Sequence, residues 1–184
     1  MKNKKITSKL LLVIVSIFTL AICINSEAQE KKSRKQIRKE RAERTAFVVD
    51  SLIKAKDFKL TVYRIVPIGA PSVSSSDGYN CTVQKDSFQC YFPYFGQAHR
   101  AIMGGMDNLA VDIKKQKIIY QEEFTKKDGY LMRFNCYSNK TKESWTITLQ
   151  IFDNGNCNIG CATNSKDNIS YLGTMEIPDN IYIP

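Results

Sequence analysis

The sequence predicts an α+β protein: one N-terminal helix followed by an antiparallel β-meander of about eight or nine strands, curled as a half-barrel or compact sandwich. Three observations predict it. Between Ser33 and Lys56 opposite charges recur four residues apart, at Lys39–Glu43, Glu40–Arg44 and Asp50–Lys54, which is the spacing of neighbours on a helix. After Asp57 the chain breaks into short runs rich in Val, Ile, Tyr and Phe, punctuated by Gly, Pro, Asn and Asp. Within one of these, "WTITLQIF", the residues Trp145, Ile147, Leu149 and Ile151 alternate with Thr146, Thr148, Gln150 and Phe152, as in a sheet with one dry and one wet face.

The first 28 residues come before this pattern. Lys2, Lys4, Lys5 and Lys9 form a basic start, Leu10 to Ile24 is an apolar run, and Ser26-Glu27-Ala28 places small residues where a signal peptidase reads them. The apolar run is about 15 residues, short of the roughly 20 that span a bilayer. The expectation is a secretory signal over residues 1–28, cleaved between Ala28 and Gln29, with no transmembrane segment in the mature chain. The rival reading is a lipoprotein signal acylated at Cys23, although Ile22 sits where a small residue is required.

Residues 29–45 are then a basic helical extension and residues 46–184 a single α+β domain, long enough to bury a core. Ser33 with Gln36 fits a capping box. The apolar residues of the helix (Ala46, Phe47, Val48, Val49, Leu52, Ile53 and Ala55) lie in its second half, so that half docks and the first projects. Gln29 to Lys56 carries ten Lys/Arg against four Asp/Glu, a net of +6, whereas Asp57 to Pro184 is neutral. The basic character therefore belongs to the helical segment. No aromatic residue is interleaved with its cations, which argues against nucleic acid. The two readings left are a solvated, salt-bridged helix or one that contacts an anionic surface.

The strands follow in order: "FKLTVYRIVPIG", two short runs in "YNCTVQKDSFQCYF", two more in "NLAVDIKKQKIIYQEEF", then "GYLMRFNCYS", "ESWTITLQIF", "CNIGCAT" and "ISYLGTMEI", with "APSVSSSDG" a polar loop. Taking Lys85-Asp86 as a two-residue turn sets Cys81 opposite Cys90 on a non-hydrogen-bonded pair, where Cα atoms lie about 4.5 Å apart. A disulfide accepts that separation, and export permits the bond. Cys81–Cys90 is the expected disulfide, against two reduced cysteines packed as small hydrophobes. Asn154-Gly155, taken as a two-residue turn, puts Cys157 opposite Phe152 and Cys161 opposite Thr148. Cys136, Cys157 and Cys161 are therefore expected free and buried.

Residue patterns that carry catalysis, phosphate binding or metal binding are mostly missing from the sequence. Gly104-Gly105 leads into a strand and not into a helix, so it is no phosphate-cradling loop. Cys157 and Cys161 point along one strand roughly 13 Å apart and His99 is the only histidine, so neither a metal nor a cofactor is expected. Only His99 could serve as the base for a nucleophile.

The stretch "CYFPYFGQAHRA" crowds aromatics round Pro93 and Gly96. Its "FPYFGQA", Phe92 to Ala98, resembles an L-P-Y-F-G-R-A motif; "ISYLGTMEI" resembles an I-S-Y-x-G-x-I motif, and "FDNGNCNIGCATNSKDNISY" resembles its lead-in. Together they are similar to domain-of-unknown-function family 4251 over about Ala46 to Ile177, departing at Phe92 and Gln97. The resemblance implies a fold family and a small exported protein of gut anaerobes, and no reaction.

Tyr94, Phe95, Tyr171 and Gly173 meet if the two motif strands are neighbours. Two readings stand: an aromatic core cluster kinked at Gly96, or a shallow groove for an envelope glycan, lipid or peptide, lined by Tyr91, Tyr94, Phe95, Gly96, Trp145, Tyr171 and Gly173. The functional expectation is an exported, non-enzymatic binding or interaction module of the periplasm or cell envelope, or one released from the cell. The alternative is a periplasmic hydrolase-type enzyme using His99.

Overall fold

A computed structural model describes residues 33–97, 110–125 and 129–178, with the main chain alone at residue 120 and residues 122–125. The signal segment, Ala28, Gln29 and His99 lie outside these. The chain divides into two units, residues 1–38 and 39–184. In the first, Ser33 begins helix α1 (Arg34–Ala55), and its main-chain N–H donates to Gln36 Oε1 at 2.7 Å, half of the expected capping box. No helix among the described residues is long and apolar enough to cross a membrane.

In the second unit α1 carries the three expected ion pairs: Lys39–Glu43 at 3.7 Å, Arg44–Glu40 at 2.8 Å and Lys54–Asp50 at 2.8 Å. All are on the surface, where water and side-chain entropy leave each worth little. What holds this half of the helix is Val48, Val49 and Ile53, which are buried. The helix stops at Lys56, which takes a left-handed conformation (φ 53°) and turns the chain straight into the first strand.

Among the described residues ten strands follow: β1 (Asp57–Pro67), the two-residue β2 (Val73–Ser74), β3 (Asn80–Gln84), β4 (Ser87–Phe92), β5 (Val111–Lys117), β6 (Tyr120–Thr125), β7 (Gly129–Ser138), β8 (Glu143–Ile151), β9 (Asn156–Ala162) and β10 (Ile169–Met175). They form one antiparallel sheet in the order β5-β4-β3-β1-β10-β9-β8-β7-β6, with β2 on β1. The last strand thus returns to pair with the first, and the meander becomes a nearly closed barrel, at the closed end of the predicted range.

The ladder ends, β5 and β6, are consecutive in the chain and separated only by Ile118 and Ile119. β6 pairs with Gly129–Phe134 of β7. The other half of β7 is reached from β5 by side chains. Gln116 Nε2 donates to Tyr137 O at 2.8 Å while its Oε1 accepts from Tyr137 N at 3.0 Å, and Ser138 Oγ donates to Asp112 O at 2.8 Å. One carboxamide here takes the place of a ladder rung.

The core fills the barrel with alternate residues, as the period-2 pattern requires. Trp145, Ile147, Leu149 and Ile151 are all fully buried, each worth about 1.5–3 kcal/mol against exposure. β1 bulges between Val62 and Arg64 opposite Gly173. A Cβ at Gly173 would stand 2.5 Å from Thr61 O and 3.1 Å from Cys157 Sγ, so the glycine of "SYLG" is required by the close approach of the two strands.

Two expectations are corrected. The Lys85-Asp86 hairpin has the expected register, Cys81 facing Cys90, but both thiols are free. They diverge: Cys90 Sγ turns to Val111 O on β5, 3.9 Å away, and Cys81 Sγ lies against the main chain of Leu60 on β1. Facing residues share a face but not necessarily a side-chain direction. The second correction is at Asn154-Gly155. The loop there has three residues, with Phe152 N donating to Asn156 O and Gly155 at φ 81°. Cys157 therefore faces Ile151 and Cys161 faces Ile147. The apolar pattern set the register, since the one-residue alternative turns Cys157 and Cys161 to the wet face. Cys136, Cys157 and Cys161 are free and buried, as expected.

Candidate functional site

Most of the residues expected to line a groove are packed inside the fold. Tyr94, Trp145, Tyr171 and Gly173 are buried, and the motif that holds them is a structural clamp. Pro93 ends the ladder of β4, and Tyr94 then folds inward over its own turn. Its hydroxyl lies 2.9 Å from both the Gln97 and the Asp167 carbonyl, sharing one proton between them, and Asp167 N donates to Gln97 O at 3.0 Å. Tyr171 donates its hydroxyl to Pro93 O at 2.9 Å and stacks on Phe92 at 4.6 Å between ring centroids. Burial pushes the Tyr94 hydroxyl up to about 12.

Behind Tyr94 sits Lys166, its side chain 1% exposed. Its ammonium donates to Glu143 Oε2 at 2.7 Å and stands 5.3 Å from the Trp145 ring centroid and 5.6 Å from that of Tyr94. Ser165 Oγ donates to the other carboxylate oxygen of Glu143. A buried cation paired with a carboxylate and roofed by two aromatic faces is stable where a lone one is not.

Of the expected residues, Tyr91 and Phe95 reach solvent, at 50% and 51% exposure. Tyr91 belongs to a cleft of about 420 Å³ on the outer face of the β3-β4-β5 sheet, together with Tyr79, Asn80, Gln89, Asp112 and Lys114. Strand register builds it: Asn80 faces Tyr91 across β3 and β4, and Tyr91 faces Asp112 across β4 and β5. The Tyr79 and Tyr91 rings stand 6.1 Å apart at 44°, forming a tilted aromatic wall. Tyr79 is fixed at its own main chain, whose carbonyl accepts from Val62 N at 2.8 Å, and at its hydroxyl, which donates to Asp77 Oδ2 at 3.0 Å. That bond to Asp77 raises the pKa of the Tyr79 hydroxyl.

A β-bulge shapes the far wall. Between Phe88 and Cys90 the register against β5 slips by one residue, so Lys114 and Lys115 together span the place opposite Gln89 and both are exposed. Lys115 is tied back to Gln84 Oε1 at 2.8 Å. The cleft thus offers one half-exposed aromatic face, two carboxylates (Asp77 and Asp112), two carboxamides (Asn80 and Gln89) and two lysines, on a floor of the buried Cys90 and Ile113. Tyr79, Asn80, Gln89, Asp112 and Lys114 were not singled out in the sequence. The outward half of the strand alternation was the only signal that Asn80, Gln89, Asp112 and Lys114 carried, and Tyr79, on the loop before β3, carried none.

Fold and site together define an antiparallel barrel with a helix packed on it and an aromatic–polar cleft on its outer wall. The family model described as "Domain of unknown function (DUF4251)" matches residues 39–175, and the chain belongs to that family. The crystal structure of a DUF4251 family protein from Bacteroides eggerthii DSM 20697 has the same fold, with a TM-score of 0.51 at 13% identity, covering 71% of this chain and 86% of that one. No match to the chain is found among curated proteins.

Proposed function

We propose that this chain is an exported, non-enzymatic binding module of the cell envelope whose ligand seats in the Tyr79–Tyr91 cleft. The observation that carries the reading is Tyr91 itself, a large ring held half-exposed on a ladder paired on both sides and flanked in register by Asn80 and Asp112. A preformed concavity with an aromatic face and a few fixed polar groups is the usual form of a small-ligand site. Export rests on the basic, apolar and small-residue segments of residues 1–28.

The basic helix supplies a second contact in this proposal. Arg34, Lys35, Arg38 and Arg41 are exposed on α1 and favour an anionic surface. The test is thermal shift and direct binding of the chain from Gln29 onward, with and without Tyr91→Ala, against soluble peptidoglycan fragments, anionic phospholipid vesicles and envelope peptides. Saturable binding that Tyr91→Ala weakens is expected. Equal binding by both proteins to every probe would refute the cleft. Turnover of a probe that disappears in His99→Ala would replace the binding module with the hydrolase.

A further inference from the structure

We infer that the ligand of the Tyr79–Tyr91 cleft is a carbohydrate, a neutral oligosaccharide segment laid with the C–H face of one pyranose ring on Tyr91. This rests on the reading of the cleft as a binding site and narrows it to one chemistry. A pyranose has two kinds of surface, an apolar C–H face and a rim of hydroxyl pairs that both donate and accept. A site for it needs an exposed aromatic face ringed by planar groups able to answer two adjacent hydroxyls at once, which carboxylates and carboxamides do.

The cleft has that arrangement. Tyr91 is flanked along its register row by the Asn80 carboxamide on one side and the Asp112 carboxylate on the other. Gln89 lies two residues back on the same strand and face. The tilt of Tyr79 against Tyr91 leaves a wedge and not a flat stack, so the second ring bounds the sugar laterally. Tyr79 is held in place without a ligand by Asp77 and Val62, and the main chain under Tyr91 is fixed by its two ladders, so that part of the ordering cost does not fall on binding.

The other envelope ligands fit less well. A peptide adding as a strand needs free main-chain donors and acceptors, whereas β4 is already paired with β3 and with β5 along this face. An acyl chain needs apolar surface all round it, and here, beyond the Tyr79–Tyr91 wall, the sides are Asp77, Asn80, Gln89, Asp112, Lys114 and Lys115, with further apolar atoms at the floor. Two carboxylates stand against two lysines, so the cleft has no net charge to select a phosphate or a polyanion.

The experiment is titration of the chain from Gln29 onward with maltotetraose, cellotetraose, mannotetraose and chitotetraose, read by tyrosine fluorescence and by calorimetry. The same titration is run with an extended envelope peptide and with zwitterionic vesicles. At least one tetrasaccharide is expected to bind at millimolar concentration or better. Tyr91→Ala should weaken it at least about tenfold, equivalent to roughly 1.4 kcal/mol, while Tyr91→Phe, which keeps the ring face, stays within about threefold. Circular dichroism checks the fold, which an outward-facing side chain should not disturb. Binding of peptide or vesicles, but of no tetrasaccharide, in a Tyr91-dependent manner would overturn the carbohydrate and leave the binding module standing. A tetrasaccharide that binds Tyr91→Ala as well as wild type, or no binding by any probe, would overturn both.

Discussion

The phenol ring of Tyr94 occupies the space that a side chain at Gly96 would need. A Cβ built at Gly96 falls 2.6 Å from Tyr94 Cζ. The ring cannot swing away, because its hydroxyl is held at the Gln97 and Asp167 carbonyls. The aromatic, the glycine two residues on and a loop 73 residues away form one clamp, which explains Tyr94 and Gly96 of the motif as a structural requirement and leaves Phe95, on the surface, outside it.

Gly96→Ala is therefore expected to destabilise the fold by about 2–3 kcal/mol, the upper part of the range for overpacking a rigid site. Tyr94→Phe removes the hydroxyl bond and leaves the Asp167 and Gln97 carbonyls short of it, a loss of roughly 1–2 kcal/mol. Urea unfolding midpoints at constant slope measure both. A Gly96→Ala protein as stable as wild type would show that the ring is not clamped.

Much of this architecture was legible in the sequence, and the parts that were not share a cause. The alternation from Trp145 to Ile151 and the helical charge spacing are local, and both were read correctly. The direction of Tyr94 was not legible, since Tyr91 to Phe95 is a run of aromatics and proline with no polar residue to mark the outer face, and its partner Asp167 lies 73 residues on. The cleft depends on a bulge in β5 and on a loop tyrosine pinned by β1, neither of which has a local signature. The Asn154-Gly155 turn shows a conflict between two local signals, where the inward pattern of Cys157, Ile159 and Cys161 overrode the dipeptide's preference for a two-residue loop.

At the barrel seam, Gln116→Ala removes both hydrogen bonds to Tyr137. Each is worth about 0.5–1.5 kcal/mol net, so a loss of roughly 1–2 kcal/mol is expected at this exposed position. The more specific readout is amide exchange. The Tyr137 N–H should lose protection by far more than the amides of β8, because its acceptor is the Gln116 side chain itself. Unchanged exchange at Tyr137 would mean that the carboxamide does not close the seam.

Glu143→Gln leaves the Lys166 ammonium in the core without its carboxylate, and breaking a buried pair from one side costs about 3–5 kcal/mol. Lys166→Met, which keeps a flexible apolar chain beside Trp145 and Tyr94, should cost less because Glu143 is closer to solvent. In the double variant the loss should be well below the sum of the single ones. Strict additivity in urea melts would show that the two charges do not depend on each other.

The five core thiols make the fold alkaline-sensitive. Burial raises all of them, pushing Cys136 and Cys157 from 9.0 up to about 12, with Cys81, Cys90 and Cys161 raised by burial as well. Well below pH 9 the thiols are neutral in both states and stability does not depend on their titration. Between about pH 9 and 12 the unfolded chain releases thiol protons that the native chain retains. The unfolded state then binds fewer protons, and stability falls as pH rises through this window, by up to about 1.4 kcal/mol per pH unit for each buried thiol. Since the thiolate is the reactive form, the native protein at pH 8 should react with a disulfide reagent only at its opening rate, and all five cysteines should react at once in denaturant. Replacing Cys136 and Cys157 with Ala should cost core packing at neutral pH yet flatten the alkaline slope. Rapid labelling of the native protein, or a slope unchanged by the two substitutions, would contradict the buried thiols as its source.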